Sequence, residues 1–301
     1  MKITVLTPVY NRKYIIDKLY ISLCNQTSKN FEWLIVDDGS SDDLEKWVNS
    51  VKKENKINIR YIYQENGGKH RALNTGIKNI DNELTFIVDS DDYLKYNAIE
   101  IVEEYYEKYK CDKSLCGFSF LRCFPDNKIN GPKFKKDEYK SDYIQCRLNE
   151  NIWGDKAEVY YTKCLKEFPF LEVPGEKFLV ESYVWAQLAM KYDMIHINKA
   201  IYIGNYLEDG LTSSMNKRKY ENPIGYLEKS KILCNKKANL KIKCKSMILY
   251  IAYGKIAKKR FIEQYKYIQY KLLFVILYFW GCVYKKRLIK NIKIGRINGK
   301  K

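Results

Sequence analysis

The feature that most constrains the fold is a regular alternation of short apolar runs and amphipathic stretches through the first hundred residues. The apolar runs have the length of buried strands, and we predict strands at residues 2–7, 31–36, 57–63 and 84–88. Apolar residues between them recur at helical spacing, which predicts helices at residues 13–26, 44–52, 69–80 and 98–109. Strands that alternate with helices form parallel βαβ units. The predicted fold class is therefore α/β, with a Rossmann-like, mainly parallel sheet flanked by helices.

Polar and glycine-rich segments follow these four strands directly, and they comprise residues 7–11, 37–42, 65–71 and 89–92. Ligands of open α/β sheets bind at the carboxyl ends of the strands, where neighbouring connections diverge. We therefore expect one ligand site at this edge of the sheet. We also expect the first strand to stop at Pro8, because proline cannot donate a ladder hydrogen bond.

The fourth segment holds two carboxylates one residue apart, Asp89 and Asp91, with Ser90 between them. Hard oxygen ligands of this kind suit Mn²⁺ or Mg²⁺, and such an ion bridges to the phosphates of a nucleotide. A solvated acidic turn is the alternative interpretation, because aspartate-rich turns are common.

The first two segments offer groups that suit a nucleobase. Asp37 or Asp38 can accept a hydrogen bond from the imide N–H of a base, and Tyr10 can stack on its ring. Ser41 and Asp42 suit a different role, because these residue types cap the start of a helix. We therefore expect ligand contact from the first pair of acids and helix capping from the later two residues.

The third segment is rich in glycine and basic residues. Its glycines allow close approach of the backbone, and Lys69 or Arg71 can meet phosphate or sugar oxygens. His70 lies in the same turn, where a phosphate contact and a solvated position are both open. The spacing is neither that of a P-loop nor that of a dinucleotide fingerprint, and a plain helix-starting turn is the alternative.

Together the four segments resemble the nucleotide-binding half of the family 2 glycosyltransferases, which have the A-type glycosyltransferase fold. The resemblance spans roughly residues 1–94 and rests on the motifs TPVYN, VDDGSSDD, ENGGKHRALNTGI and FIVDSDDYL in the family's order. It implies a nucleotide-sugar donor, usually linked to UDP, inversion at the anomeric carbon and a divalent metal. By this resemblance Asp38 reads the uracil, Asp89 contacts the ribose or the metal, and Asp91 holds the metal. The implied donor site comprises Thr7, Pro8, Tyr10, Asp38, Lys69, Asn74, Asp89, Ser90 and Asp91.

Inverting transfer also needs a base that deprotonates the acceptor hydroxyl opposite the leaving diphosphate. Glu181 is our candidate, since it lies in the expected first turn of a helix over residues 179–191 and in the place of the family's acidic base. A charge that merely complements the helix dipole is the alternative. Asp155 is the second candidate for the base, and a role in shaping the acceptor pocket is equally open for it.

The positive charge of the chain is concentrated at its end. The formal net charge is +18, yet the residues after 216 hold 24 lysines and arginines against three acids. We therefore predict a catalytic domain over 1–214, with donor and acceptor halves at 1–94 and 95–214, and a basic helical region over 215–301. The apolar run at 272–284 is too short to span a bilayer. Its flanking cations suit residues 271–301 for an anionic membrane surface, while packing on the body or in an oligomer is the alternative.

The predicted function is that of a metal-dependent inverting glycosyltransferase, transferring a hexosyl or N-acetylhexosaminyl group. It moves the sugar from a UDP-sugar to a hydroxyl of a lipid-linked or polymeric glycan acceptor in bacterial surface polysaccharide synthesis, for a capsule or another part of the cell envelope. The acceptor class rests on the resemblance and on the basic region. A non-catalytic nucleotide-sugar-binding protein is the alternative. A nucleic-acid-binding protein is less favoured, because no sequence signature of one is present.

Several remaining features bear on location and on local structure. Nine cysteines without a paired spacing, and a start that lacks a leader-like apolar stretch, indicate a cytoplasmic protein, peripheral on the inner face of the membrane. His196 lies among apolar residues and is expected to be a core histidine. Residues 206–212 resemble a closing loop.

Overall fold

A computed structural model describes residues 2–205 and 215–298, so the predicted loop at 206–212 lies outside the described residues. The strands are β1 Ile3–Val9, β2 Phe31–Asp37, β3 Asn58–Tyr63, β4 Leu84–Ile87, β5 Tyr93–Leu94, β6 Leu115–Cys123, β7 Tyr139–Ser141, β8 Lys156–Tyr161 and β9 Asp193–Ile203. The helices of the first two thirds are α1 Asp17–Cys24, α2 Leu44–Lys53, α3 Lys69–Lys78, α4 Ala98–Tyr109, α5 Thr162–Glu167 and α6 Ser182–Lys191. Those of the last third are α7 Met215–Glu221, α8 Pro223–Leu233, α9 Leu240–Ile256, α10 Phe261–Tyr267 and α11 Lys271–Asn298.

The strands form one sheet in the order β3-β2-β1-β4-β8-β6-β9-β5, with β7 beside β9. The first four strands in this order are parallel, as the alternation of strands and helices predicts. Strand β8 runs antiparallel between β4 and β6, and β6 is again parallel to β9. The predicted α/β class is confirmed. The parallel half carries the motif-bearing strand ends, and the second half adds the antiparallel pairings.

The core lies on both faces of the parallel half. Every residue of β1 and of β2 is buried, which is the pattern of strands covered by helices on both faces. Trp33 of β2 lies at the centre of one face, with Tyr20 stacked on it and Trp47 meeting it edge-on.

Pro8 does not end the first strand, contrary to the prediction. The carbonyl of Leu6 accepts from Val88 on the β4 side, and that of Val9 accepts from Asp38 on the β2 side. Backbone groups of successive residues point alternately to the two neighbouring strands, so the N–H that Pro8 lacks would point toward β4. The last residue pair between β1 and β4 is Leu6 with Ile87, and Pro8 lies beyond it. The strand continues to Val9 because this proline removes no ladder hydrogen bond there.

The basic helices pack on the catalytic body through a second core. Phe178 joins Met247, Tyr250 and Phe274 in this cluster. Polar contacts support the same junction, since the side-chain oxygen of Asn222 accepts from the backbone N–H groups of residues 177 and 178. The predicted domain boundary at residues 214/215 stays a prediction. The helices after this boundary share a buried cluster with residues before it.

Helix α11 is long, but no helix among residues 2–205 and 215–298 combines the length and hydropathy that crossing a bilayer requires. One face of α11 packs on α9, where Gly281 lies against Ile251. Phe274 is fully buried and meets Phe261 of α10 edge-on.

Candidate active site

Three charged side chains that are far apart in the sequence meet at the carboxyl edge of the parallel strands. Lys69 begins α3, Asp89 follows β4, and Glu181 immediately precedes α6. The ammonium nitrogen of Lys69 lies 2.6 Å from Oδ1 of Asp89 and 2.5 Å from Oε1 of Glu181. The predicted base and a predicted metal ligand therefore share one cation.

The charge state of this group follows from its surroundings. Burial alone would lower the pKa of Lys69, but the carboxylates of Asp89 and Glu181 outweigh burial and raise that pKa well above its ordinary value. Lys69 is therefore cationic at any physiological pH. Its side chain is 23% exposed and those of the two acids are more exposed, so the group is open to a ligand.

Glu181 is at the N-cap position of α6 and not in the first turn, because the helix begins at Ser182. Its side chain makes no capping hydrogen bond. The carboxylate extends to Lys69 and does not cap the helix, while its charge still lies at the positive end of the helix dipole, so the dipole alternative stays open.

An acidic triad lies beside this cation. Asp89, Asp91 and Asp92 each offer a carboxylate oxygen, and the three oxygens lie within 4.8 Å of one another. Burial and the charge of Asp89 raise the pKa of Asp91. Closely spaced, mutually repelling hard oxygens are the ligand set that Mg²⁺ or Mn²⁺ prefers. The residues present thus fit a divalent cation, with Asp92 as a third member that the sequence reasoning missed.

Asp92 is tied to the second half of the chain by two residues that no motif marked. It accepts hydrogen bonds from Nη2 of Arg122 at 3.0 Å and from the hydroxyl of Tyr202 at 2.8 Å. The same hydroxyl accepts from the backbone N–H of Asp89 at 3.1 Å. Burial raises the pKa of Asp92, and Arg122 opposes that rise. A third acid within the four residues 89–92 after a strand was the available signal for Asp92. Neither Arg122 nor Tyr202 had one.

Arg122 also reaches the second candidate base. Its Nη1 lies 2.6 Å from Oδ2 of Asp155, so one guanidinium bridges Asp155 and the acidic triad. Glu158 lies close by on β8, where burial raises its pKa to about 7 and Arg147 opposes the rise. Glu181 and Asp155 are among the neighbours that raise the pKa of Glu158. Both candidate bases therefore lie near Glu158, an acid that the sequence reasoning missed, and we call Asp155, Glu158 and Glu181 the acidic cluster.

The two acids at the end of β2, Asp37 and Asp38, accept hydrogen bonds from other groups of the protein. The carboxylate of Asp38 accepts from the side chains of Gln64 and Asn66 and from the backbone N–H groups of Gly67 and Gly68. Asp37 accepts from the backbone N–H of residue 40 and from the hydroxyl of residue 61. Both oxygens of Asp38 thus have donors. The implied uracil contact stays a prediction that requires one of these bonds to be exchanged.

The remaining implied donor residues fall into two groups. Tyr10 is half exposed at the end of β1, and Ser90 lies inside the acidic segment. Thr7 is fully buried and accepts from Nε1 of Trp33 at 2.9 Å. Asn74 faces another segment, because its amide bonds the backbone of Phe170 in both directions. These contacts give Thr7 and Asn74 structural partners, and their role in donor binding stays a prediction.

Three further expectations concern local structure. The capping role of Ser41 and Asp42 is wrong, because α2 begins without a side-chain cap and Asp42 accepts from the backbone N–H of Lys13 instead. His196 is confirmed as a core histidine, with its ring 4.9 Å from that of Phe134. His70 is buried and not solvated, and burial lowers its pKa.

Comparison with known proteins agrees with this geometry. The model of the glycosyl transferase family 2 matches residues 4–153. The Campylobacter jejuni enzyme GalNAc(5)-diNAcBac-PP-undecaprenol beta-1,3-glucosyltransferase is 28% identical over 292 residues, which cover 91% of this chain and 87% of that enzyme. Glycosyltransferase GlyG of Streptococcus pneumoniae is 35% identical over 219 residues, which cover 67% of this chain and 69% of GlyG.

Solved structures show the same fold at lower sequence identity. S. aureus TarS 1-349 in complex with UDP-GlcNAc superimposes with a TM-score of 0.62 at 19% identity, covering 99% of this chain and 92% of that chain. The mannosyltransferase PcManGT from Pyrobaculum calidifontis, in complex with GDP-Man and Mn²⁺, gives 0.56 at 15% identity, covering 85% and 73%. Family model, relatives and fold agree, and the chain is a glycosyltransferase that belongs to glycosyltransferase family 2.

Proposed function

We propose that this chain is a metal-dependent inverting transferase that moves a hexosyl or N-acetylhexosaminyl group from a UDP-sugar to a hydroxyl of a glycan acceptor. The observation that carries the proposal is the meeting of Lys69, Asp89 and Glu181 beside the acidic triad. Single displacement with inversion needs an acceptor-side base and a charge-compensated leaving group on opposite sides of the sugar. Here the candidate base and the acidic ligand set lie on two sides of one lysine.

Each residue then has one task. Glu181 accepts the proton of the attacking hydroxyl, and Lys69 positions that carboxylate while complementing the negative charge of the diphosphate. Asp89 and Asp91, with Asp92 behind them, would hold Mn²⁺ or Mg²⁺, which neutralises charge on the leaving diphosphate when it is bound. Arg122 keeps Asp92 in place, and the second candidate base, Asp155, borders the acceptor side.

The choice of donor and acceptor rests on the relatives. TarS binds UDP-GlcNAc in its solved complex, which supports a UDP-sugar donor. The name of the Campylobacter enzyme specifies an undecaprenol-linked glycan, which supports a lipid-linked acceptor. A polymeric acceptor fits the same chemistry. We assign the reaction to bacterial surface polysaccharide synthesis, for a capsule or another part of the cell envelope.

An anionic membrane surface is the proposed partner of α11, on the cytoplasmic face of the cell membrane. Six apolar side chains of this helix, each at least 41% exposed, are Leu272, Val275, Ile276, Phe279, Trp280 and Val283. At about 3.6 residues per turn they form one stripe. The exposed cations Lys286, Arg287 and Lys290 continue that stripe. An apolar face that ends in cations complements anionic lipid, whereas a second copy of the chain would bring like charges together.

The test of the transferase function is Glu181→Gln, with Glu45→Gln on the exposed face of α2 as the matched control. UDP-sugars are first ranked by thermal shift with Mn²⁺, since a ligand of the native state raises the melting temperature. UDP release is then measured with a polyprenol-linked glycan acceptor. We expect turnover of Glu181→Gln to fall by about 10²-fold or more, with unchanged affinity for the UDP-sugar.

Two results would contradict this assignment. If Glu181→Gln loses affinity for the UDP-sugar at unchanged turnover, the residue belongs to the donor site. If the wild-type protein binds UDP-sugar but releases no UDP with polyprenol-linked or polymeric acceptors, the chain is the non-catalytic binding protein that we hold as the alternative.

A further inference from the structure

We propose that Trp153 is a stacking platform for a sugar ring of the acceptor glycan, on the loop that carries Asp155 of the acidic cluster. Its indole is 61% exposed, although tryptophan is usually well buried. The inference rests on the proposed function, because it assigns the acceptor side of the same site. Single exposed apolar residues are common on protein surfaces, so the argument depends on how this ring is held and on what surrounds it.

The backbone beneath the ring is fixed by two interlocked glycines. A Cβ at Gly131 would lie 2.4 Å from the carbonyl oxygen of Trp153 and 3.1 Å from Cε3 of its ring. A Cβ at Gly154 would lie 2.4 Å from the carbonyl oxygen of Asn130. Both glycines have positive φ, which favours glycine at each of them. The two loops therefore touch backbone to backbone, and the edge of the indole lies on Gly131.

A buried lysine fastens the same junction. The ammonium of Lys156 donates to the carbonyl of Asn130 at 3.0 Å and to that of Trp153 at 3.2 Å. An exposed ring on such a fixed backbone loses little conformational entropy when a ligand covers it. This is the property expected of a binding surface.

The loop that carries the ring also carries one of the carboxylates of the site. Two residues after Trp153, Asp155 pairs with Arg122, and the other arm of that guanidinium holds Asp92 of the acidic triad. On the following strand, Glu158 lies among the electrostatic neighbours of Asp155 and Glu181. The loop of Trp153 thus lies on the Asp155 side of the site, and we place the acceptor sugar there.

The chemistry of this corner selects a sugar. One face of a pyranose carries C–H groups, which are attracted to the negative face of an indole. The hydroxyls at the edge of the sugar ring can donate hydrogen bonds to carboxylates. A flat apolar face bordered by acids suits a neutral glycan and disfavours an anion. We assign this position to the acceptor sugar, because the proposed nucleotide contacts lie at the ends of β1 to β4.

The test measures binding without catalysis. Saturation-transfer NMR is recorded with the methyl glycosides of glucose, galactose, N-acetylglucosamine and N-acetylgalactosamine, on the wild-type protein, on Trp153→Ala and on Trp153→Phe. Tyr96→Ala is the control, since Tyr96 is equally exposed (66%) between β5 and α4. We expect at least one glycoside to bind the wild type and the control, and its affinity to fall about 3- to 10-fold in Trp153→Ala. Trp153→Phe should retain part of the signal.

Transfer kinetics give a second readout. Trp153→Ala should raise the KM for the acceptor and leave the KM for the UDP-sugar unchanged. Equal glycoside binding by wild type and Trp153→Ala, or no binding by the wild type, would overturn the proposal. Glycoside binding that depends on Trp153, in a protein that transfers no sugar from a UDP donor, would instead contradict the proposed function and leave a glycan-binding surface.

Discussion

Lys69 connects the two halves of the candidate site. Its ammonium joins a carboxylate that follows β4 and another that precedes α6, residues separated by almost a hundred positions. Each of the three residues is recognisable in the sequence, but the pairing of Lys69 with both acids is not. The pairing fixes where the carboxylate of Glu181, our candidate base, points before any acceptor binds.

Asp91→Asn tests the metal assignment at the residue scale. The change removes one of three mutually repelling carboxylates, so the metal-free protein should keep its melting temperature or gain slightly. The stabilisation by added Mn²⁺ should disappear, and turnover should fall by about 10²-fold or more. Calorimetric titration with Mn²⁺ and UDP release measure the two effects. Asp81→Asn, at an exposed position, is the control. Full metal dependence in Asp91→Asn would refute its role as a ligand.

His196 predicts a pH dependence of stability. Burial lowers its pKa from 6.5 to about 4 in the folded protein. The unfolded chain therefore takes up the proton first as pH falls, and stability should decrease between about pH 6.5 and pH 4 by on the order of 3 kcal/mol. His196→Gln keeps a donor for the carbonyl of Ser141 and removes the titration.

Urea denaturation across this pH range measures the effect. The change in unfolding free energy between pH 6.5 and pH 4 should lose the His196 contribution in His196→Gln. A pH dependence remains, because the lowered pKa of His70 acts with the same sign and the raised pKa values of Asp92 and Glu158 act with the opposite sign. An unchanged slope would show that His196 titrates normally in the folded state.

At the scale of elements, the turn between β3 and α3 depends on a carboxylate from the end of β2. Asp38 orders this turn by accepting from the N–H groups of Gly67 and Gly68. Gly68 has positive φ, and a Cβ there would meet the carbonyl of Lys177 at 2.0 Å. The turn that starts α3, and so places Lys69, is thus built from three separate segments.

Asp38→Asn tests that role. The amide replaces one acceptor oxygen by a donor that faces backbone N–H groups, and a buried unpaired donor costs roughly 2 kcal/mol. We expect the urea midpoint to fall at an unchanged m value, with Asp81→Asn as the reference. If stability is unaffected while affinity for UDP is lost, the uracil contact implied by the family resemblance is the correct interpretation.

At the scale of the whole molecule, the basic helical region both completes a core and exposes a stripe. Removing α11 would delete Phe274 and uncover the rest of its cluster around Met247, so a truncated chain would report on folding as well as on lipid binding. Substitutions on the exposed stripe separate the two effects, because those side chains contribute little to the core.

The double variant Phe279→Ser/Trp280→Ser should reduce the fraction of protein that sediments with vesicles containing phosphatidylglycerol. Its melting temperature should stay unchanged. Reversal of Lys286, Arg287 and Lys290 to glutamate should remove about 1 kcal/mol of binding per charge and abolish its salt dependence. Leu240→Ser, at an exposed position outside α11, is the control. Unchanged vesicle binding, or loss of an oligomer on the same substitutions, would assign the stripe to protein contacts.

The sequence by itself determined the α/β class, the edge at which the site lies, the acids Asp89 and Asp91, and the division of charge between body and basic region. These features depend on local sequence. The spacing of apolar residues indicates which faces of strands and helices are buried, and polar segments mark the ends of strands. Only the tertiary structure decided that Lys69 links Asp89 to Glu181, that Arg122 joins Asp155 to the triad, and that both carboxylate oxygens of Asp38 accept hydrogen bonds from the protein itself. Such pairings depend on how distant loops meet across the sheet, and side-chain spacing along the chain does not encode that distance.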